Sequence, residues 1–402
     1  MSFLFTNKQD IQWDTAFTSS TVDPSGRARV GTPFVDFSAE FPFTKSVDLW
    51  DEVLTGGGTS TLDSNASRIQ FQTGTTTGDR VVRQSKEYFR YQPGISSTVN
   101  IAFLIDGAEA GNRKRIGFFD TNNGFFVQQD GTDVSITRRT FASGSTVDNN
   151  ISQANWNIDP MDGTGPSGIT LDLTKIQRFV VTFDWYGSGI AKCGFNIDGR
   201  EVYVHVFKIA NTLAEASLGQ PILPIRYEIE NTSATGSSNS LFQYGSSVIR
   251  EGGSVAKGIE RTFSNEVTAI SVPGANFVPL LSIRLKSAFV RAQVTPQNFQ
   301  IFNTSTKNLY WELVENPSLT NASWQSASDI VEGDVAATAV SGGNVITSGY
   351  ANQDTVITPD LSNVRLRLGG DINGVSDILT IRARGIGQTV DTLAAISWKE
   401  LS

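Results

Sequence analysis

The sequence predicts an all-β protein with many turns. The 402-residue chain contains 37 Gly and 25 Phe. Its apolar residues alternate with polar ones over short stretches instead of recurring at helical spacing. Pairs such as Asn123-Gly124 and Asp198-Gly199 separate these stretches, and such pairs favour tight hairpin turns. We therefore expect a jelly-roll or concanavalin-like β-sandwich, with an extended N-terminal arm and a small C-terminal β-sandwich.

The first element is an expected N-terminal arm over residues 1–58. Its apolar residues have no sustained period, prolines interrupt it, and Gly56-Gly57-Gly58 ends it as a flexible joint. It is too aromatic for a disordered tail. Two interpretations stay open: the arm docks on a neighbouring subunit, or it packs on its own body. Under the first, removal of residues 1–58 leaves the body folded.

Residues 59–300 are expected to form the main sandwich. Asn122-Asn123-Gly124 predicts a type I′ hairpin turn between apolar stretches at 116–119 and 125–127. The alternation over residues 177–209 predicts a meander of three antiparallel strands. Only residues 212–218 favour a short helix.

Residues 301–402 are expected to form the small C-terminal β-domain, after a linker at 295–307. Short strands are predicted at 309–314, 336–340, 345–350, 364–368 and 378–383. Six Lys or Arg stand against eleven Asp or Glu here, so this is the more acidic part of the chain.

Charge and composition exclude several classes of partner. The net charge is −8 and the pI about 4.9. A sequence-independent grip on nucleic acid, or on an anionic membrane, needs a basic face. No apolar stretch approaches the roughly 18 residues of a transmembrane helix, and no signal peptide is visible. We expect neither nucleic-acid binding nor membrane insertion.

The single Cys193 and the single His205 limit the chemistry. One Cys excludes a disulfide framework within the chain and a multi-Cys zinc site. Any Ser-His-Asp or Cys-His mechanism would have to use His205. Tyr203 and Phe207 are expected to share the face of His205, which we interpret as a half-exposed strand residue with a satisfied hydrogen bond. A catalytic or pH-switch role is the alternative.

Two loops that contain aspartate and glycine are candidate calcium sites. Asp159 and Asp162 lie in a Gly-rich loop that ends at Gly165, and Asp371 lies in a similar loop. Calcium prefers oxygen ligands on such loops. The spacing is not that of an EF-hand, and Asp with Gly is ordinary turn chemistry. We therefore interpret both loops as turns.

Aromatic and basic clusters have equally plain interpretations. Trp156, Trp185 and Tyr186 would form a sugar platform if exposed, but core positions are the expectation. The clusters Arg113-Lys114-Arg115 and Arg138-Arg139 are expected to be solvated strand ends. No phosphate loop, paired-carboxylate motif or ligand cluster stands out. We expect no catalytic, cofactor-binding or metal-binding residue, no cofactor and no enzyme.

Several segments, taken in order along the chain, carry a family resemblance. In the N-terminal arm the segment is Ser25-Gly26-Arg27-Ala28-Arg29-Val30. In the first half of the body the segments are Phe89-Arg90-Tyr91-Gln92-Pro93-Gly94, Arg115-Ile116-Gly117-Phe118-Phe119-Asp120 with Asn123-Gly124-Phe125-Phe126, and Trp156-Asn157-Ile158-Asp159 with Asp162-Gly163-Thr164-Gly165-Pro166-Ser167-Gly168. Later in the body they are Leu223-Pro224-Ile225-Arg226-Tyr227-Glu228-Ile229 and Ser247-Val248-Ile249-Arg250-Glu251-Gly252-Gly253. Near the C-terminus they are Leu309-Tyr310-Trp311-Glu312-Leu313, Ala339-Val340-Ser341-Gly342-Gly343 and Ser397-Trp398-Lys399-Glu400. Together the chain resembles a family of virion structural proteins of tailed, especially marine, bacteriophages.

The resemblance implies a component of the virion, with no catalytic residues to carry over. We expect a homo-oligomer in the tail, baseplate or fibre region, with a trimer as the first choice. Its expected partners are copies of itself and other virion proteins. A capsid decoration or cement protein, a module that binds host surface glycans, and a glycan-degrading enzyme with two carboxylates about 5 to 9.5 Å apart remain alternatives.

Overall fold

The fold is all-β, as the sequence predicts. A computed structural model describes residues 21–252, 258–353, 355–361 and 366–401. The chain divides into two compact units, Met1–Ser254 and Val255–Ser402, each with its own hydrophobic core. Two single-turn 3-10 helices, Gln153–Asn155 and Ser287–Phe289, are the helical elements of the described residues.

Unit 1 contains fifteen described strands. They are β1 Pro33–Ala39, β2 Trp50–Thr55, β3 Thr59–Asp63, β4 Arg68–Gln72, β5 Arg80–Ser85, β6 Ser97–Asp106, β7 Asn112–Phe119, β8 Gly124–Asp130, β9 Asp133–Thr140, β10 Val147–Ser152, β11 Gln177–Phe183, β12 Ala191–Ile197, β13 Arg200–Phe207, β14 Ile225–Asn231 and β15 Ser240–Glu251.

These strands form the two sheets of a sandwich. The eight-stranded sheet has the order β13-β12-β11-β6-β15-β4-β3, with β1 also paired to β15, and the seven-stranded sheet has the order β10-β9-β8-β7-β14-β5-β2. Alternate residues of each strand point between the sheets, as Ile101 and Phe103 do on β6. A fully buried side chain of this kind contributes about 1.5 to 3 kcal/mol.

The meander is confirmed, with β11, β12 and β13 paired antiparallel in sequence. The hairpin of β7 and β8 is also present, but four residues, 120–123, connect Phe119 to Gly124. The two-residue type I′ turn is therefore wrong. The Asp120 carboxylate accepts the Asn122 and Asn123 N–H groups and holds the longer connection. The helix expected at 212–218 is absent, because only one turn forms there, with the Thr212 and Leu213 N–H groups bonded to the Ile209 carbonyl.

The N-terminal arm is shorter than expected. β1 pairs with β15 and β2 pairs with β5. Phe37, Phe41 and Trp50 are buried in the core of unit 1. The expected boundary at residue 58 is therefore wrong, because the scattered aromatic residues fill the body of the same chain. Trp13 and the rest of residues 1–20 lie outside the described residues.

Residues 21–31 form an extended strap on the outer face of the eight-stranded sheet. The strap turns back on itself through a bridge between Val22 and Ala28. Arg29 forms an ion pair with Glu201 at 3.4 Å and lies 3.5 Å from the hydroxyl of Thr182. The Lys192 ammonium donates to the carbonyl of Val22 at 3.3 Å. For these residues, the interpretation that the arm packs on its own body is the one observed.

Unit 2 contains thirteen described strands. They are β16 Ile259–Ser264, β17 Ile270–Val272, β18 Val278–Leu285, β19 Gln293–Asn303, β20 Leu309–Glu315, β21 Ser318–Thr320, β22 Gln325–Ser326, β23 Val331–Asp334, β24 Ala339–Ser341, β25 Asn344–Ala351, β26 Val356–Ile357, β27 Ile378–Gly385 and β28 Val390–Leu401.

The expected domain boundary at residue 300 is displaced to 254. β16, β17 and β19 pair with β28, and β18 pairs with β27, so strands on both sides of residue 300 build the same sheets. The predicted linker at 295–307 is mostly strand β19. Its Pro296 fits in the sheet because a bulge between Pro296 and Asn298 interrupts the pairing. Strands predicted at 309–314, 345–350 and 378–383 match β20, β25 and β27. Residues 364 and 365 of the strand predicted at 364–368 lie outside the described residues, and Leu368 forms an isolated bridge with Val294.

Candidate functional site

Charged side chains cover the outer face of the seven-stranded sheet. On β14, Ile225, Tyr227 and Ile229 point into the core. The alternate residues Arg226, Glu228 and Glu230 therefore point outward. The neighbouring strand β7 places Arg115 opposite Glu228 and Arg113 opposite Glu230. On the other side, β5 places Arg80 opposite Glu230.

Three arginines surround the buried carboxylate of Glu228. Its Oε1 accepts from Arg80, with 2.7 Å to Nη2, and from Arg115, with 3.5 Å to Nη1. Its Oε2 accepts from Arg226, with 3.0 Å to Nη2. Burial alone would raise the pKa of Glu228, but the charges of Arg226, Arg80 and Arg115 outweigh it and hold the pKa at about 2.

Two phenylalanine rings lie beneath the guanidinium groups. Phe119 and Phe126 are fully buried on the outer face, with ring centroids 4.4 Å apart. The Arg226 guanidinium is 5.4 Å from the Phe119 ring, and that of Arg139 is 5.2 Å from the Phe126 ring. These distances suit cation–π contacts. The arginine side chains thus cover the rings, which explains why this polar face is itself largely buried.

The basic clusters are therefore not solvated strand ends. Lys114, Arg115, Arg138 and Arg139 are all buried. Arg139 binds both carboxylate oxygens of Asp148, at 2.7 and 2.8 Å. Lys114 points to the other side of the sheet and donates to a backbone carbonyl, and burial lowers its pKa to about 8. The prediction failed because the sequence does not show which strands bring Glu228 beside Arg115 and Asp148 beside Arg139.

The Glu228 cluster is suited to hold strands together. The Glu228 carboxylate is paired with three arginines. Glu230 binds Arg113 at 2.9 Å, and Asp148 binds Arg139. Each of these carboxylates is therefore engaged in an ion pair. General acid–base chemistry requires a carboxyl group that can give up or take a proton near the working pH. Glu228 does not meet that requirement with a pKa of about 2.

His205 is buried, not half-exposed. A bulge between Cys193 and Gly194 breaks the alternation of β13. Val204 and Phe207 join the core, whereas the Tyr203 hydroxyl bonds to Glu201 at 2.8 Å. His205 Nδ1 accepts a hydrogen bond from the backbone N–H of Asn157 at 3.3 Å. The His205 and Phe207 rings are in contact, with 4.6 Å between their centroids. Burial lowers its pKa to about 4, so the imidazole is neutral at neutral pH.

The aspartates of both loops bind their own backbone. Asp159 accepts the N–H groups of Met161 and Ser167 at 2.8 and 2.7 Å. Asp162 accepts the N–H and hydroxyl of Thr164. Asp371 accepts the N–H groups of Asn373 and Val375. These are the contacts that the turn interpretation predicts. Among the described residues, no group of three or more His, Cys, Asp or Glu could hold a metal ion.

The three aromatic candidates do not form one platform. Trp156 is buried in the core of unit 1, and Trp185 packs against that core. Tyr186 is 57% exposed. Cys193 is also a core residue, and burial raises the pKa of its thiol well above the usual range. In the part of the chain that the structure describes, no helix is long and apolar enough to cross a membrane.

A groove of about 650 Å³ lies beside the edge strand β13. Residues 157–159 pair with the end of β13, where the N–H groups of Ile158 and Asp159 bond to the Val204 carbonyl. The groove continues beside the start of the strand. Its polar lining includes Asn157, Ser167, Arg200, Glu201, Tyr203 and Lys208. Both signs of charge are present in this lining.

Comparisons with known proteins extend to the fold only. No protein-family model matches the chain, and no curated protein matches it. The carbohydrate recognition domain of Emp47p is similar over 58% of this chain and 97% of its own length, with 12% identity and a TM-score of 0.34. A legume lectin-like domain from Entamoeba histolytica is similar over 52% of this chain and 95% of its own length, with 10% identity and a TM-score of 0.32.

A third solved structure is a β-1,3-glucanase from Mycobacterium marinum. It covers 54% of this chain and 98% of its own length, with 13% identity and a TM-score of 0.36. Identities this low carry no ligand or reaction across.

Sequence reasoning missed the Glu228 cluster, although a signal was present. Arg226, Glu228 and Glu230 alternate with Ile225, Tyr227 and Ile229, and Arg113 and Arg115 alternate in the same way. A strand with a wholly charged outer face requires charged neighbours if it is to be buried. The sequence does not show which strands are neighbours, so the partners stayed hidden.

Proposed function

We propose that this protein is a non-catalytic structural component of a bacteriophage particle, in the tail, baseplate or fibre region, and that it works as a homo-oligomer. The observation that carries the oligomer is an exposed apolar set between residues 30 and 47. Its members are Val30, Phe34, Val35, Phe43 and Val47, with exposed fractions from 44% to 89%. Exposed apolar groups gathered in one segment are typical of interaction surfaces.

Strand β1 presents part of this set at a sheet edge. Within the described ranges, β15 is the one strand that pairs with β1, and Phe34 and Val35 lie on β1. An edge strand offers unpaired backbone N–H and carbonyl groups to another chain. The proposed contact is therefore edge pairing combined with burial of these apolar groups. It takes the place of docking by a separate arm over residues 1–58.

The segments that resemble the phage family meet in space. Arg115 comes from one segment, and Arg226 and Glu228 come from another, yet all three form the buried ion-pair cluster. Tyr91, from a third segment, donates its hydroxyl to Asp184. The resemblance thus includes residues that join neighbouring strands of the seven-stranded sheet.

A glycan-degrading enzyme receives less support from the geometry. Glu228 and Glu230 are two residues apart on one strand, a spacing of about 6.6 Å, which lies in the range required of two catalytic carboxylates. Both carboxylates are engaged by arginines. Incubation with polysaccharides should therefore release no reducing ends, and release that Glu230→Gln abolishes would favour the enzyme.

The oligomer is tested by light scattering on the recombinant chain. We expect a multiple of the 43.5 kDa monomer mass at micromolar concentration, with a trimer as the first choice. The double variant Phe43→Ser with Val47→Ser should shift the protein toward monomer, because both side chains are exposed. Val267→Ser, which removes an equally exposed valine from unit 2, is the control. A wild-type monomer contradicts the proposal.

The place in the particle is tested on purified virions of the encoding phage. Mass spectrometry should detect the chain, and immunogold labelling should mark the tail, baseplate or fibres. Labelling distributed over the head would instead support a capsid decoration protein. Absence of the chain from intact virions would contradict both structural roles.

A further inference from the structure

Unit 2 contains a six-stranded sheet with the order β22-β23-β18-β27-β20-β25. Aromatic and arginine side chains form a row on its outer face. In adjacent strands, Arg384 on β27 lies opposite Tyr310 on β20, and Tyr310 lies opposite Tyr350 on β25. Their chain neighbours Trp311 and Ala383 point into the core. The row therefore faces away from the core, across about 10 Å of sheet.

Three rings of this face contact one another. The Tyr310 and Tyr350 ring centroids are 5.2 Å apart with an interplanar angle of 50°, and those of Phe277 and Tyr310 are 6.0 Å apart at 53°. Tyr350 is 69% exposed, and Phe277 and Tyr310 are half-buried. We name Phe277, Tyr310, Tyr350 and Arg384 the aromatic platform.

Arg384 is the available cation of the aromatic platform. Its guanidinium lies 5.1 Å from the Phe277 ring and 5.4 Å from the Tyr310 ring. It forms no ion pair or hydrogen bond with any residue that the structure describes. The neighbouring Arg382 is already paired, because it binds the Glu312 carboxylate and donates to the Gly342 carbonyl at 3.0 Å.

We propose that the aromatic platform binds an acidic oligosaccharide. The exposed ring of Tyr350 would receive the C–H face of a sugar. The fork of Arg384, which lies over the Phe277 and Tyr310 rings, would bind a carboxylate or sulfate of the chain in a bidentate, charge-assisted contact. Because the rings are tilted by about 50° to each other, the site fits a single twisted chain and not a flat surface.

Charge and size favour this ligand over two others. Single-stranded nucleic acid also stacks on aromatic rings, but it needs a basic groove along its phosphates. The aromatic platform instead contributes one arginine, Arg384, which suits a single carboxylate or sulfate better than a row of phosphates. A protein partner would bury a much larger area than three rings offer. The inference goes beyond the particle role and does not depend on it.

Binding is tested with the full-length protein on an array of defined oligosaccharides. The probes carry uronate, sialate or sulfate groups, and each stands beside its neutral counterpart. We expect binding of at least one acidic probe and at least a ten-fold weaker binding of its neutral counterpart. No binding on the array, equal binding of the neutral probe, or preference for an oligo-dT strand would each overturn the proposal.

Two variants locate the site by titration of the best probe. Tyr350→Ala and Arg384→Gln should each weaken binding by ten-fold or more. Both side chains are exposed, so the melting temperature should stay unchanged. Tyr186→Ala and Arg178→Gln change an exposed Tyr and an exposed Arg of unit 1 and serve as matched controls. Undiminished binding in both platform variants, or an equal loss in the controls, would overturn the assignment.

Discussion

The carboxylate of Asp36 and the guanidinium of Arg250 form a buried ion pair, with 2.5 Å between Oδ2 and Nη2. Asp36 lies at the bulge of β1, where the pairing with β15 passes from Val35 to Phe37. Removing one member of a buried pair is strongly destabilising, because the other charge stays in the interior. The pair therefore holds the N-terminal strand in the sandwich as an integral part of its sheet.

Deletion of residues 1–58 should abolish the cooperative melt of unit 1. The deletion removes β1, β2, Phe37, Phe41 and Trp50. Loss of each large core side chain costs about 3 to 5 kcal/mol, and the sum exceeds the stability of an ordinary domain. Circular dichroism of the full-length chain and of the 59–402 fragment decides, and a folded 59–402 chain would contradict this assignment.

Glu228→Gln should destabilise unit 1 by about 3 to 5 kcal/mol at pH 7, since the substitution leaves the buried Arg115 and Arg226 beside a neutral amide. Glu230→Gln is the matched control. Its pair with Arg113 is partly exposed on both sides, so its loss should cost below about 1 kcal/mol. Urea unfolding of both variants measures the difference, and equal effects would show that the cluster is not what holds these strands.

Acid should weaken the fold through Glu228. The folded pKa of about 2 lies below the ordinary value of 4.5. The stabilisation is therefore present above pH 4.5 and is lost as the pH falls toward 2, by about 3 kcal/mol. Glu228→Gln should lack this part of the acid dependence. Unfolding curves at intervals between pH 5 and 2.5 test it, and parallel losses in wild type and variant would count against it.

His205 should make the fold less stable in mild acid. Its folded pKa of about 4 lies below the ordinary 6.5, because burial disfavours the charged form. Between these values the unfolded chain binds more protons, so stability falls as the pH drops from 7 to 5, by about 2 kcal/mol. His205→Asn keeps an acceptor for the Asn157 N–H and removes the titration. A variant that loses as much stability as wild type over this range would contradict the assignment.

Unit 2 should fold from residue 255 and not from residue 301. A fragment 255–402 contains all the strands that pair with β27 and β28, whereas a fragment 301–402 lacks β16, β17 and β18 and most of β19. The shorter piece also loses core residues such as Leu281 and Ile283. We expect a cooperative melt for the first fragment and none for the second. Two equally folded fragments would restore the boundary near residue 300.

The sequence predicted local structure well and pairing poorly. Period-2 alternation predicted the β11–β13 meander, because each of these strands pairs with its neighbour along the chain. The pairing of β1 with β15, more than 200 residues apart, leaves no local trace. The same holds for Glu228, two of whose three arginine partners lie on β5 and β7, and for β19, where Pro296 suggested a linker.

The candidate sites show the same division. The loops of Asp159 and Asp371 were predicted correctly as turns, since an aspartate that binds the backbone a few residues away acts within one turn. The aromatic platform requires three strands of one sheet to lie side by side. Tyr310, Tyr350 and Arg384 are unremarkable until the register aligns them.

The burial of Cys193 also makes the protein convenient for attachment chemistry. Its thiol is the only one in the chain and is fully enclosed in the core. Burial also keeps it protonated, so it lacks the reactive thiolate. A cysteine introduced at an exposed position, as in Val267→Cys, would therefore be the sole group to react with a maleimide on the folded chain. Fluorophores, gold clusters or spin labels can then be placed at one chosen point without removing the native cysteine.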